Sequence, residues 1–315
     1  MINASELEKY LNASVIGQQE VVKHIAWAVA RAQNGFSVPN LPMGTFLFLG
    51  PTGVGKTKLC LKLVDYLYKT DDVDSRFFRL DMAEYQHADT VQRLVGETSN
   101  DNGILGNAIE KINANGGGII LFDEIEKANP LLSTLFLAIL DAARFTSANG
   151  KTHDLAKFFI VATSNLGSSE IVNMNHSVYE TIERNVRMIA QQFFRPEVLA
   201  RWQEAVVFNR LDYEAQMDIC RQMLDAEIKH CSQQMRRRIE VDTDVFPLLI
   251  RKGFNKQLGA RPLRTRISKD VEEALVRWEN LQGITQRPTS PQQATPIILR
   301  VDEAHDCLYA SILTY

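Results

Sequence analysis

The sequence predicts an α/β protein in which helices cover both faces of a parallel sheet, followed by a smaller and mostly helical region. Across the first two thirds of the chain, short apolar runs alternate with segments of helical periodicity, which is the pattern of a parallel sheet. From residue 209 onward helical periodicity dominates, apart from a terminal apolar run at 297–299. We therefore expect a large α/β domain at 1–208 and a small helical domain with one or more terminal strands at 209–315.

Five apolar runs supply the predicted strands. Each is too short for a typical helix and is rich in the side chains of buried parallel strands. The runs lie at 46–49, 77–80, 119–122, 158–162 and 205–208. Helices of the large domain are expected at 5–11, 18–34, 56–69, 88–95, 103–114, 131–143 and 178–193. Those of the small domain are expected at 214–237, 242–252 and 260–281, and a surface loop rich in Pro, Gln, Thr and Ser at 282–296.

Composition and charge argue against several classes of protein. The chain has 38 acidic and 35 basic residues among its 315, for a net charge of -3, which gives no reason to expect nucleic acid or an anionic membrane as a partner. Four scattered cysteines suit a reducing compartment and predict neither disulfides nor a zinc site. No secretory signal and no apolar run of membrane-spanning length is visible. We therefore expect a cytoplasmic protein.

A phosphate-binding loop is predicted directly after the first strand. Residues 50–57 read GPTGVGKT and fit G-x-x-x-x-G-K-[ST] between a strand and a helix, as the motif requires. Backbone N–H groups of such a loop surround the phosphates of ATP, Lys56 neutralises their charge and the Thr57 hydroxyl helps to hold Mg²⁺. The remaining predicted phosphate-binding residues are Pro51, Thr52, Gly53, Val54 and Gly55.

Acidic and amide side chains follow two later strands. Asp123 and Glu124 end the run at 119–122, and Asn165 follows the run at 158–162. Ligands of open α/β sheets bind at the carboxyl ends of the strands. We expect Asp123 to reach Mg²⁺, Glu124 to polarise the attacking water and Asn165 to lie beside that water. An adjacent pair of acids suits hydrolysis better than transfer to an acceptor, so the site is predicted to be that of an NTPase.

Seven strings then make the chain similar to a known family. They are VIGQ (15–18), FLFLGPTGVGKT (46–57), RLVG (93–96), DEIEKANP (123–130), TSNLG (163–167), FRPE (194–197) and GARPL (259–263). In this order they resemble the ATPase module of Clp-type AAA+ unfoldases, most of all the second module of the ClpB disaggregases. The resemblance implies an AAA+ P-loop NTPase fold, with a parallel five-stranded sheet flanked by helices and a small helical C-terminal domain.

The resemblance also implies roles for single residues. Val15 and Ile16 match the hinge that contacts adenine, and Ile219 is expected among the same nucleotide-binding residues. Asn165 matches the first sensor of the family. Arg201 matches the arginine that one subunit offers to its neighbour's γ-phosphate, and this sharing implies a homo-oligomeric ring, a hexamer in the family.

Two further arginines are assigned by the same resemblance. Arg261 matches the second sensor, which the small domain carries, and Arg195 is an alternative to Arg201 as the shared arginine. Each of these arginines also admits a simpler interpretation as a surface salt bridge.

The sequence departs from the family in three ways. Relatives carry a gripping tyrosine in the loop after RLVG, whereas residues 97–105 read ETSNDNGIL without an aromatic residue. A flat, stiff ring holds a threaded peptide at low entropic cost, and small polar residues do not. The sequence contains one ATPase module, so we expect substrate recognition to come from elsewhere. No peptidase-docking string lies within 168–190, so we expect no peptidase partner.

Two functions from different classes follow. The first is a ring-forming ATPase that couples ATP hydrolysis to remodelling or disassembly of a protein substrate. The alternative is a nucleotide-switched scaffold or loader within a larger complex, through which nothing is threaded. A monomeric small-molecule kinase is a third interpretation, but a kinase needs an acceptor base and a lid, and an adjacent Asp-Glu pair suits hydrolysis better.

Overall fold

The computed structural model describes residues 1–174, 177–255, 257–284 and 294–313. The chain divides into two compact units, Met1–Arg210 and Leu211–Tyr315. Within the described residues, no helix combines the length and the apolar character needed to cross a membrane.

A parallel five-stranded sheet forms the centre of the first unit. Its strands are β1 (Gly44–Leu49), β2 (Phe77–Asp81), β3 (Gly118–Asp123), β6 (Phe158–Ser164) and β7 (Glu204–Val207). The strand order is β2-β3-β6-β1-β7, and all neighbours run parallel. The predicted parallel sheet and its five strands are confirmed.

Helices cover both faces of this sheet, which explains why its strands are continuous apolar runs. On one face Phe46 stacks on Phe48 and Phe159, and Phe48 contacts Phe208. Side chains alternate between faces along a strand, so Leu47 and the other residues of the second face join a separate core. The helices are α1 (Ala4–Ser14), α2 (Gln19–Arg31), α3 (Lys56–Tyr68), α4 (Ala88–Val95), α5 (Gly103–Ala114), α6 (Leu132–Ala142), α7 (Ser168–Asn173), α8 (Tyr179–Phe193) and α9 (Pro196–Leu199).

Several short elements differ from the predicted pattern. Strands β4 (Arg144–Thr146) and β5 (Thr152–Asp154) form a hairpin that no apolar run indicates. Helices α7 and α9 were not predicted either, because six and four residues are too few to show helical periodicity. Helix α2 ends at Arg31, three residues before the predicted end, and a wider turn follows in which Gly35 has a φ of 91°.

The second unit combines three helices with a small sheet. The helices are α10 (Tyr213–Met235), α11 (Val245–Gly253) and α12 (Arg261–Leu281), and the strands are β8 (Ile239–Val241), β9 (Ile297–Asp302) and β10 (Cys307–Ile312). Strand β9 pairs in parallel with β8 and antiparallel with β10. The predicted terminal strand is therefore present as β9, whereas β8 lies in a segment that the sequence left without a strand. Most of the loop predicted at 282–296 lies outside the described residues.

The register of the first sheet determines where the polar residues after its strands lie. Leu49, the last residue of β1, pairs with Ser164 and with Val207, and Asp81 pairs with Asp123. The five strands therefore end along one edge. The phosphate-binding loop, Glu124 and Asn165 all follow strands at this edge.

Candidate active site

The predicted phosphate-binding loop connects β1 directly to α3. Gly50 has a φ of +130°, and a Cβ there would lie 2.4 Å from the backbone oxygen of Phe208. Gly55 has a φ of +113° and would place a Cβ 3.2 Å from Val15 Cγ1. Both positions require glycine, because side chains are strained in this region and space is lacking. This distance also shows that Val15, in the predicted adenine hinge, lies next to the loop.

Lys56 is the buried charge of the site. Its ammonium group donates hydrogen bonds to the backbone oxygens of Gly50, Pro51 and Ser164 and, at 2.9 Å, to Asn165 Oδ1. Burial lowers the pKa of Lys56 to about 8, although the negative charges of three nearby acids oppose this shift. Those acids are Glu126, Asp123 and Glu124. Phosphate oxygens are chemically suited to replace these carbonyl oxygens as hydrogen-bond acceptors of the buried ammonium.

Asn165 connects the buried lysine to the predicted base. Its amide nitrogen donates to Glu124 Oε1 at 3.0 Å. Its amide oxygen accepts from Lys56 Nζ and, at 3.3 Å, from the Thr52 hydroxyl. Glu124, Asn165 and Lys56 therefore form one continuous hydrogen-bonded line across the ends of β3, β6 and β1.

The two acids after β3 are held in different ways. Asp123 accepts a hydrogen bond from the Thr163 hydroxyl, and its other oxygen accepts from Arg79 Nε at 2.8 Å and Nη2 at 2.6 Å. Glu124 has a φ of 57°, and its N–H donates to Thr163 Oγ1 at 3.0 Å. Thr163 thus sets the direction of both residues. The Glu124 carboxylate also forms an ion pair with Lys127.

Several residues of this site were missed by the predictions from sequence. Gln18 is buried and bridges the loop to the chain after β7, because its amide nitrogen donates to Val54 O at 3.4 Å and to Asn209 O at 2.9 Å. Gln18 ends the string VIGQ, and Lys127 lies within DEIEKANP. The position of both residues in family motifs could therefore have identified them from the sequence. Arg79 lies in the middle of β2, where the sequence offers no such signal.

Arg201 does not join this cluster. The Thr45 hydroxyl near the start of β1 donates to the backbone oxygen of Arg201 at 3.1 Å, whereas the phosphate-binding loop follows the end of that strand. At roughly 3.3 Å per residue the two places are about 16 Å apart along β1. The Arg201 guanidinium forms an ion pair with Asp141 at the end of α6, and 46% of its side chain is exposed. Arg195 is also exposed, before α9.

Ile219 and Arg261 belong to the second unit. Ile219 lies half-buried in α10 and packs against the core of that unit. Arg261 is exposed and begins α12. In the first unit, Ile16 is half-buried after α1, and Thr57 is half-buried in the first turn of α3. The predicted roles of all four residues stay predictions.

The oxygen-bearing side chains near Lys56 suit Mg²⁺, which needs few protein ligands, better than they suit a metal ion that is held entirely by protein. Among the described residues, no group of three or more His, Cys, Asp or Glu side chains is arranged to hold a metal. Magnesium prefers oxygen ligands and usually keeps waters and substrate phosphates around it, so one hydroxyl and one carboxylate suffice from the protein. Thr57 and Asp123 are the residues predicted to supply these two groups.

The lowered pKa of Lys56 predicts that ATP affinity depends on pH. With a pKa of about 8, Lys56 has lost its proton in most free sites at pH 9, and phosphate binding requires that proton. We expect ATP affinity to be about tenfold weaker at pH 9 than at pH 7.5. A titration with a fluorescent ATP analogue measures this, and circular dichroism at both pH values controls for folding. Equal affinities at the two pH values would contradict the assignment.

Comparisons with known proteins agree with this geometry. Residues 41–205 match the AAA domain (Cdc48 subfamily), and residues 211–285 match the C-terminal, D2-small domain, of ClpB protein. The chaperone protein ClpB of Vibrio cholerae is 38% identical over 274 residues, which cover 86% of this chain and 32% of that protein. ClpB of Meiothermus ruber is 39% identical over 275 residues, with the same coverage of 86% and 32%.

A plant relative extends the comparison beyond bacteria. The mitochondrial chaperone protein ClpB4 of Arabidopsis thaliana is 35% identical over 278 residues, covering 85% of this chain and 28% of that protein. The chain thus spans about a third of the length of the curated relatives that it matches. The family predicted from the seven strings is confirmed: the chain belongs to the AAA domain family and is similar to ClpB chaperones.

Proposed function

We propose that this chain hydrolyses ATP within a ring of identical subunits and uses the reaction to remodel protein substrates. The observation that carries the proposal is the hydrogen-bonded line from Glu124 through Asn165 to Lys56. It brings a carboxylate and a buried ammonium to opposite ends of one amide, beside the phosphate-binding loop. A hydrolytic site needs this combination of a base for water and a cation for phosphate.

The chemistry follows from these groups. Backbone N–H groups of the loop and the Lys56 ammonium bind the β- and γ-phosphates. Glu124 accepts a proton from water as the water oxygen bonds to the γ-phosphorus and the bond to the β–γ bridging oxygen breaks. Asn165 holds the carboxylate toward that water. Thr57 and Asp123 would hold Mg²⁺, which would neutralise part of the phosphate charge when bound.

The proposal of a ring depends on the position of Arg201. Because the Arg201 guanidinium is half exposed and the Arg201 backbone lies beside Thr45, at the opposite end of β1 from the phosphate-binding loop, we assign it to the γ-phosphate of a neighbouring subunit. An always-charged, planar donor stabilises the charge of the transition state. Head-to-tail contacts of this kind close into rings, and we propose a hexamer. We assign Val15, Ile16 and Ile219 to adenine and Arg261 to the nucleotide phosphates.

Remodelling of protein is favoured over a scaffold role by the similarity to proteins named as chaperones. The loop at 97–102 remains the argument for the alternative, since it carries no aromatic residue. Of the two apolar residues that follow it, Leu105 is buried and Ile104 is 38% exposed. We therefore propose a grip on substrate that is weaker than that of an aromatic loop. We place the protein in the cytoplasm, because its four cysteines form no disulfide within the described residues.

Stimulation by substrate separates the two functions. If the ring remodels protein, an unfolded model protein should raise the ATPase rate severalfold, and a tagged fluorescent protein should lose its fluorescence in the presence of ATP. Folded protein without a tag is the control in both assays. A rate that unfolded protein leaves unchanged, together with stable fluorescence, would support the scaffold instead.

Glu124→Gln should abolish hydrolysis and leave binding intact. The amide cannot accept the proton of water, so we expect the turnover number to fall by about 10²- to 10⁴-fold. The affinity for a fluorescent ATP analogue should stay within about threefold, since the lysine and the loop are unchanged. The control is Glu170→Gln, the same change at an exposed position of α7. Hydrolysis that survives in Glu124→Gln would show that the base lies elsewhere.

Arg201→Ala should lower the turnover number by about 10³-fold or more without weakening nucleotide binding. Arg187→Ala is a matched control, because Arg187 is likewise 46% exposed and paired with an acid. Mixing Arg201→Ala with Glu124→Gln protein should restore part of the activity, since an intact Glu124 then meets a neighbour's intact Arg201. Mixed rings without any recovered activity would rule out a site shared between subunits.

A further inference from the structure

Glu126 lies beside the active site without any of the roles assigned above. It belongs to the short turn Ile125–Lys127 that follows β3. Its Oε1 accepts the backbone N–H of Asn165 at 3.0 Å. Its Oε2 is buried and has no hydrogen-bond partner within the described part of the chain.

The cost of this arrangement indicates a purpose other than stability. A buried acceptor without a partner is destabilising, and the cost is larger for a charged group. A neutral side chain of similar length in this turn would avoid much of that cost. Part of the charge is balanced through space, because Glu126 has the largest influence among the three acids that counteract the lowered pKa of Lys56. The charge of Glu126 also acts on the neighbouring Lys127, whereas its direct hydrogen bond is the one that it accepts from the N–H of Asn165.

Asn165 is the residue for which this contact matters. It directly follows Ser164, the last residue of β6, and the partner of its N–H is the Glu126 side chain. Its own side chain makes three hydrogen bonds at once, with Glu124, Lys56 and Thr52. A small rotation of the backbone at Asn165 would break this set, because hydrogen bonds weaken steeply with angle and distance.

We propose that Glu126 is a positioning residue for hydrolysis, which fixes the backbone of Asn165 so that the Asn165 amide stays between Glu124 and Lys56. This inference rests on the proposed ATPase function and adds to it a residue that touches neither water nor phosphate. In this proposal the essential feature of Glu126 is an acceptor oxygen, and a side chain of the length of glutamate is needed to bring that oxygen to the N–H of Asn165.

Two substitutions of Glu126 distinguish the effect of its acceptor oxygen from the effect of its negative charge. Glu126→Gln keeps an oxygen at the same reach and removes the charge, whereas Glu126→Asp keeps the charge and withdraws the oxygen by one methylene. We expect Glu126→Gln to retain the wild-type turnover number within about threefold and Glu126→Asp to lose about 10- to 100-fold, since misplacement of a reacting group by about 1 Å costs that much. The KM for ATP should change by less than about threefold in both variants.

A double-mutant cycle tests whether Glu126 acts through Asn165. If it does, Glu126→Asp should lower the turnover number no further in an Asn165→Ala background, because the positioned amide is already gone. Equal losses in Glu126→Gln and Glu126→Asp, a wild-type rate in Glu126→Asp, or additive losses in the double variant would each overturn the proposal.

Hydrogen exchange gives a measurement that does not depend on hydrolysis. The backbone N–H of Asn165 should exchange as slowly in Glu126→Gln as in the wild type and at least about tenfold faster in Glu126→Asp. Unchanged exchange in Glu126→Asp would contradict the anchor itself. A wild-type protein that bound and hydrolysed no ATP would instead contradict the proposed function, and the exchange measurement would still distinguish that failure from a failure of the anchor.

Discussion

The burial of one ammonium group, that of Lys56, is the constraint on which the active site depends. A cation removed from water is destabilising unless partners compensate for the lost solvation. Here the compensation comes from backbone oxygens of the loop and of Ser164, and from the amide of Asn165. The same contacts hold the loop around the ammonium and connect it to the end of β6. The charge that holds the folded site together is therefore the same charge that is proposed to bind phosphate.

The parallel sheet makes this compensation possible. Strands β1, β3 and β6 end at one edge, so the loop after the first, the acids after the second and the amide after the third come within hydrogen-bond distance. The acids around Lys56 have distinct partners. Asp123 is paired with Arg79, Glu124 with Lys127, and Glu126 with the backbone of Asn165. This division leaves each carboxylate with a fixed direction, although three like charges lie close together.

The loop at 97–102 is the part of the molecule that differs most from the expectation for a threading ring. It is held in a turn by Asp101, whose carboxylate accepts the N–H groups of Glu97 and Gly103. The Asn149 side chain, between β4 and β5, donates to Asn102 at 2.6 Å. These short polar contacts restrain the loop without giving it a flat apolar surface. In the proposed ring, this loop would therefore present small polar side chains in a fixed arrangement.

The sequence by itself determined the features that depend on neighbouring residues. The five strands, the phosphate-binding loop and the positions of Asp123, Glu124 and Asn165 all follow from short runs with a characteristic pattern. Short elements such as β8 and α9 escaped detection, because three or four residues carry too little periodicity.

Only the tertiary structure decided which side chains meet. Gln18 and Asn209 are 191 positions apart in the chain, and Lys56 and Asn165 are 109 apart. Arg79 reaches Asp123 from the adjacent strand across 44 positions. Such contacts depend on strand order, register and the packing of helices on the sheet, none of which a local pattern specifies. The sequence therefore identified the groups that lie in local motifs, such as Lys56, Glu124 and Asn165, and the fold added Gln18 and Arg79 and determined which groups meet.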